Sequence, residues 1–143
     1  MMAKTGTAHA RLIGPMRFEV ESGSGHTVAL DVSADDGGEN SAPTPMEMLL
    51  VALAGCTGMD VISILYKQRQ DVTGYEIAVH GTRADEHPKV FTDITVEHVV
   101  SGHGVNPEFV RRAVELSETK YCSVSAMLGK TAQITTTFRV LEA

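Results

Sequence analysis

The sequence predicts an α+β protein in which sheets pack against helices, on three observations. A long apolar stretch, Thr44 to Leu65, lies near the middle of the chain, segments of period-two alternation stand on either side of it, and an amphipathic segment follows Asn106. At 143 residues the chain is read as a single domain, 1–143, long enough to bury a core without disulfide or metal staples.

The elements follow in order. Thr5 to Leu12 alternates weakly, and Met16 to Glu21 sets Met16, Phe18 and Val20 against Arg17, Glu19 and Glu21. After the turn sequence Ser22 to Gly25, His26 to Val32 places Val28, Leu30 and Val32 on one face, which predicts a hairpin. Ser33 to Ser41, SADDGGENS, is a polar loop by composition. Thr44 then provides an N-cap, Pro45 suits the first helical position, and Glu47 completes a capping box. Beyond that cap Leu49, Leu50, Val51, Leu53, Met59, Val61, Ile62 and Leu65 leave no broad polar face, so this helix belongs in a core or an interface. Continued through Tyr66 to Gln68, it is roughly 35 Å long, more than a compact domain of this size buries alone. A partner subunit covering the remainder is expected.

A second β block begins after Asp71. Gly74 to Arg83 puts Tyr75, Ile77 and Val79 on one side, a turn falls at Ala84 to Pro88, and Val90 to Val100 alternates through Ile94, Val96 and His98. Asn106 caps a helix with Pro107 at its first position, Glu108 in its first turn and a single apolar stripe of Phe109, Val110, Ala113, Val114 and Leu116. The chain breaks near Lys120. Cys122 to Leu128 reads as one or two helical turns closed by Gly129 in the C′ position, and Thr131 to Leu141 as a last strand.

Charge and composition exclude several functions. A net charge of −6, a pI near 5.4 and 12 scattered Lys and Arg leave no basic footprint for nucleic acid or a membrane surface. The longest apolar run, Met48 to Met59, is closed by Asp60 and falls short of the roughly 20 residues of a membrane span. The first residues, MMAKTGTAHARL, lack an apolar signal core. A cytoplasmic protein is expected, and no cofactor motif is present.

The chemistry concentrates on two cysteines, Cys56 inside the long helix and Cys122, 66 positions later. In a cytoplasmic chain of this length they are not a disulfide scaffold, and their separation excludes a local zinc-knuckle spacing. Each is either a small core hydrophobe or a reactive thiol. Cys56 lies too far inside its helix to draw on the N-terminal dipole, so a reactive thiolate there requires a cation, most naturally an arginine, brought by tertiary structure. Cys122 stands at the start of its helical turns, where exposed N–H groups favour a thiolate. Together they suggest a peroxidatic and resolving pair.

Glu47 is accounted for by the capping box, although a carboxylate about two and a half turns from Cys56 could contact a catalytic arginine. Arg17 and Arg11 read first as solvated charges on strands. Asp60, four residues after Cys56, would raise a nearby thiol pKa and reads as a paired or solvated residue. The histidines form no HxH or HxxxH set; His80, His98 and a carboxylate could assemble a metal site across strands, but no spacing supports it. Gly129-Lys130-Thr131 ends like a phosphate loop, yet Val124 occupies the place of the first glycine and a strand follows. No GxSxG is present, which removes the anchor of Ser-His-Asp hydrolase chemistry.

The stretch PTPMEMLLVALAGCTGMDV around Cys56, with YCSVSAML around Cys122, resembles the OsmC/Ohr family of thiol-dependent hydroperoxide reductases, and the order of elements matches along the whole chain. The segments GHTVALD and AGCTGMDV are closer to the OsmC-like branch of less defined function. The resemblance implies an intertwined homodimer with two long cysteine-bearing helices packed centrally and sheets wrapped around them. It implies that the Cys56 thiolate attacks a small organic hydroperoxide or hydrogen peroxide, that Cys122 of the same subunit resolves the sulfenic acid as a disulfide, and that a dithiol reductant, such as a lipoylated protein or a small thiol, restores the pair. In the family an N-terminal arginine lowers the thiol pKa and is held by a glutamate at the start of the central helix. Here the glutamate directly after the proline is replaced by Met46, with Glu47 one position later, and the loop Asp31 to Pro45 carries no arginine. Arg17 is then the best candidate, with Arg11 behind it. The alternative is a ligand-binding or redox-sensing protein that has kept the pocket and lost efficient turnover.

Overall fold

A computed structural model describes residues 4–143 and forms two compact units, one ending at Leu49 and the other running from Leu50 to Ala143. The first holds an antiparallel sheet of β1 (Ala8–Leu12), β2 (Phe18–Ser22) and β3 (Thr27–Leu30), with β2 central. The register pairs Arg11 with Glu19 and Val20 with Val28. After a 3-10 turn at Ala34–Asp36 the loop is gathered on buried Asp31, which accepts from the N–H groups of Val32, Glu39 and Ser41 and from the Ser41 hydroxyl at 2.6 Å. Those bonds, the Ser41 hydroxyl first among them, hold the Asp31 carboxyl down at about 2. Gly38 permits this folding-back, since a Cβ there would stand 2.2 Å from the Val32 carbonyl oxygen.

The long helix α1 spans Pro45–Lys67. Its capping box forms as the sequence predicts: the Glu47 N–H donates to Thr44 Oγ1 at 3.1 Å and the Thr44 N–H to Glu47 Oε1 at 2.9 Å. It ends with Arg69 in the left-handed region (φ 57) and the Gln70 N–H bonded to the Leu65 carbonyl. Leu53, Thr57, Val61 and Leu65, at four-residue spacing, form its buried stripe. On the opposite side Val51, Met59 and Tyr66 are 54%, 73% and 64% exposed, so a helix apolar on both faces has one of them uncovered by the described residues. By length and composition alone α1 could cross a membrane, a test that the core helix of a folded unit also passes.

The second unit joins α1 from Leu50 onward to β4 (Asp71–Arg83), β5 (Phe91–His103) and β6 (Gln133–Glu142), with β5 central, antiparallel to β4 and parallel to β6. The parallel pairing requires a crossover, which is built from α2 (Pro107–Leu116), a π-helical turn at Ser117–Tyr121 and α3 (Ser123–Leu128). Asn106 caps α2 through its side chain, as its sequence predicts. Val61 and Leu65 of α1 meet Val100 of β5 and Val110, Ala113 and Val114 of α2 in one core cluster. Gly58 in mid-helix has a packing reason: a Cβ there would come 2.7 Å from Ile77 Cδ1 of β4.

The structure corrects two expectations and closes off one possibility that the spacing did not support. Gly129 closes α3 with right-handed dihedrals (φ −66, ψ −13), and its lack of a side chain is needed because a Cβ would lie 2.8 Å from the Ser125 carbonyl oxygen. Arg17 stands one residue before β2 rather than on a strand. His80 and His98 cannot share a metal, because strand alternation exposes the first and buries the second.

His98 is wholly buried, shares a 2.6 Å hydrogen bond between Nδ1 and Tyr75 Oη, and stacks on the Tyr75 ring with centroids 5.9 Å apart. Burial depresses its pKa to about 4. Its folded pKa therefore lies below the ordinary 6.5, so the unfolded chain binds an extra proton between those values and stability falls as pH drops through that window. The unfolding free energy from urea titrations is expected to decline from pH 6.5 toward pH 4, at most by about 1.4 kcal/mol per pH unit, and the decline to flatten in His98→Gln. Below it, Asp31 withdraws its contribution as pH falls from 3.8 toward 2.

Candidate functional site

Within the second unit the two cysteines converge. Cys56, half-buried on α1, and Cys122, 3% exposed at the start of α3, are free thiols, and their Sγ atoms together with a carboxylate oxygen of Asp60 lie within 4.8 Å of one another. Cys56 and Asp60 are a turn apart on α1, flanking its buried stripe, so the helix presents a thiol and a carboxylate side by side.

Ser117 ties the two segments together. Fully buried, its hydroxyl donates to Asp60 Oδ2 at 3.0 Å and, with its one proton so used, accepts from Thr57 Oγ1 at 2.8 Å. Its carbonyl accepts the Cys122 N–H at 2.8 Å across the π-helical turn. One residue thus fixes the carboxylate, the neighbour of Cys56 and the backbone of Cys122. The thiol of Cys122 in turn accepts from the Ser125 N–H at 3.3 Å, serving as the α3 N-cap.

The charge state of Cys122 differs from the sequence expectation. Burial pushes its pKa up, the Ser125 N–H opposes this, and the adjacent Cys56 raises it further. A six-residue helix offers too few aligned amides to overcome desolvation. Asp60 is half-buried and hydrogen-bonded to Ser117, and among the described residues no ion pair includes it. Its charge adds to burial in raising the Tyr75 phenol, which links the thiol site to the Tyr75–His98 pair. Asp60 also borders a groove of about 430 Å³ whose apolar walls include Met59, Ile64, Leu116 and Tyr121.

The other two candidates lie in the first unit. Arg17 Nη1 donates to the Ser41 carbonyl at 3.0 Å and to its hydroxyl at 2.7 Å, while Glu47 is engaged in the α1 cap. Arg11 pairs with Glu19 on the exposed face of the sheet. Thr57 and Ser117 escaped the sequence reading; a hydroxyl directly after Cys56 and a carboxylate four residues on, in an otherwise apolar helix, were the available signal.

A long helix and a crossover that bring two free thiols together on an α+β scaffold define a thiol-pair protein. The family profile of OsmC-like proteins matches residues 38–137. Protein YhfA of Escherichia coli K12 is 41% identical over 136 residues, covering 95% of this chain and 98% of that one. A solved protein from Aquifex aeolicus superposes with a TM-score of 0.87 at 30% identity over 99% of both chains. The organic hydroperoxide resistance protein OsmC of Legionella pneumophila shares the fold, with a TM-score of 0.72 at 16% identity over 96% of this chain and 98% of its own. The chain belongs to the OsmC-like family.

Replacing Ser117 tests this geometry. Ser117→Ala leaves the buried Thr57 hydroxyl and the Asp60 carboxylate without their shared partner, and is expected to cost about 1–3 kcal/mol in urea unfolding. Disulfide formation between Cys56 and Cys122 should slow in the folded variant, read by the rate of thiol loss.

Proposed function

We propose that this protein is a thiol-dependent peroxidase that reduces small organic hydroperoxides, with Cys56 as the attacking thiolate and Cys122 as the resolving thiol. The observation that carries the reading is the proximity of the two free thiols, with Sγ atoms no more than 4.8 Å apart. Family membership supports it, and so does the name of the Legionella neighbour. The Cys56 sulfur attacks the distal oxygen of the hydroperoxide, the O–O bond breaks, and the alcohol leaves once protonated. Cys122 then attacks the sulfenic sulfur, water leaves, and a disulfide forms that an external dithiol reduces. A thiol whose pKa is raised by burial suits the second step, because it stays protonated until its neighbour has been oxidised. The groove beside Asp60 has the size and apolar walls for a small organic substrate.

Arg17 supplies the positive charge in this reading, and Glu47 can hold it, since a carboxylate can accept a cap hydrogen bond and a guanidinium together. A homodimer is part of the proposal: the exposed row of Val51, Met59 and Tyr66 on α1 is covered by the same helix of a second copy. A second reading, a redox-sensing or ligand-binding protein without fast turnover, draws on Asp60 beside the thiols and Met46 at the helix start.

Steady-state consumption of cumene hydroperoxide with a dithiol reductant tests the chemistry. Cys56→Ser is expected to lose at least about a hundredfold in kcat/KM, a barrier of about 2.7 kcal/mol; a variant as fast as the parent would refute the assignment. Sedimentation tests the assembly. The parent is expected as a dimer and Met59→Lys as a monomer or a weakened dimer, whereas a monomeric parent would contradict the covered face.

A further inference from the structure

We propose that the reduced site binds one zinc ion per chain through Cys56 Sγ, Cys122 Sγ and an oxygen of Asp60. The three donors already lie within 4.8 Å of one another, and in a tetrahedral zinc site sulfur and oxygen ligands stand about 3.5–3.8 Å apart, so side-chain rotation closes the set. The donor chemistry selects the ion. Two thiolates exclude magnesium and calcium, and a carboxylate as third ligand suits zinc better than a copper(I) ion that prefers sulfur alone.

Two features orient the ligands. Ser117 donates to Asp60 Oδ2 at 3.0 Å and is itself bonded to Thr57, which fixes the carboxylate while leaving it lone pairs to coordinate. The Ser125 N–H donates to Cys122 Sγ at 3.3 Å, a contact that strengthens as the sulfur becomes a thiolate. The charge suits a divalent cation: no ion pair includes Asp60 among the described residues, and once both thiols ionise the local charge would reach about −3. Zinc reduces this to −1, displacing one proton from each thiol. Cys56 and Asp60 are only half-buried, which leaves the fourth position open to water.

The metal shares its thiols with the proposed peroxidase but does not depend on turnover. Where both hold, the zinc-bound pair is protected from peroxide, and its oxidation balances as two thiolates and one hydroperoxide, with two protons, giving a disulfide, an alcohol, water and free zinc. The test titrates metal-free, reduced, full-length chain with cobalt(II) as the spectroscopic probe and then with zinc. Expected are one cobalt per chain, a thiolate-to-cobalt charge-transfer band with the strong visible bands of a four-coordinate ion, displacement by zinc, and release of about two protons per zinc at neutral pH. Asp60→Asn is expected to weaken zinc by about tenfold or more, and Cys56→Ser and Cys122→Ser each to remove the 1:1 spectrum. Absence of the charge-transfer band, or equal zinc affinity in the parent and all three variants, would overturn the proposal. Peroxide-driven disulfide formation, measured on the metal-free chain, reports on the peroxidase reading separately.

Discussion

The hydrogen bonds of Ser117 are the constraint on which the site depends. Cys56 and Cys122 belong to separate segments, one in a long helix and one after a π-helical turn. The core cluster of Val61, Leu65, Val100 and Val110 brings α1 against β5 and α2. Ser117, at the end of α2, converts that packing into a definite arrangement by holding Asp60, Thr57 and the Cys122 N–H at once. Buried polar groups of this kind are costly unless satisfied, and here each satisfies another.

The electrostatics of the site follow from what surrounds the sulfurs. Burial, and then the neighbouring Cys56, push the Cys122 thiol up, against the opposing Ser125 N–H. A positive charge beside Cys122 would oppose that rise. An arginine, a metal ion or a partner subunit would each supply one, with different consequences: an arginine activates the thiolate toward peroxide, whereas a metal ion stores it in coordinated form.

Much of the fold was legible. The capping box at Thr44 and Glu47, the Asn106 cap and the strand alternations each depend on contacts only a few residues apart, so local sequence states them directly. The parallel pairing of β6 with β5 was not legible, because it depends on where the crossover returns the chain. At the site, the cysteines stood out by type and helical setting, but their mutual distance did not. Asp60 was read as paired or solvated without a partner being named, because sequence spacing shows the face it shares with Cys56 and not the Ser117 hydroxyl, 57 residues away, that engages it. The Cys122 pKa was misjudged for a related reason: the helix start was visible, and the burial that outweighs it was not.

Intact mass and free-thiol count of the reduced, metal-free protein after one equivalent of cumene hydroperoxide test the central claim most directly. A neighbouring redox pair gives a loss of about two mass units with both thiols gone, and in Cys122→Ser a sulfenic acid trapped at Cys56. Two unreacted thiols in the folded protein would contradict it, and would mean that the fold has kept the pair without its peroxide chemistry.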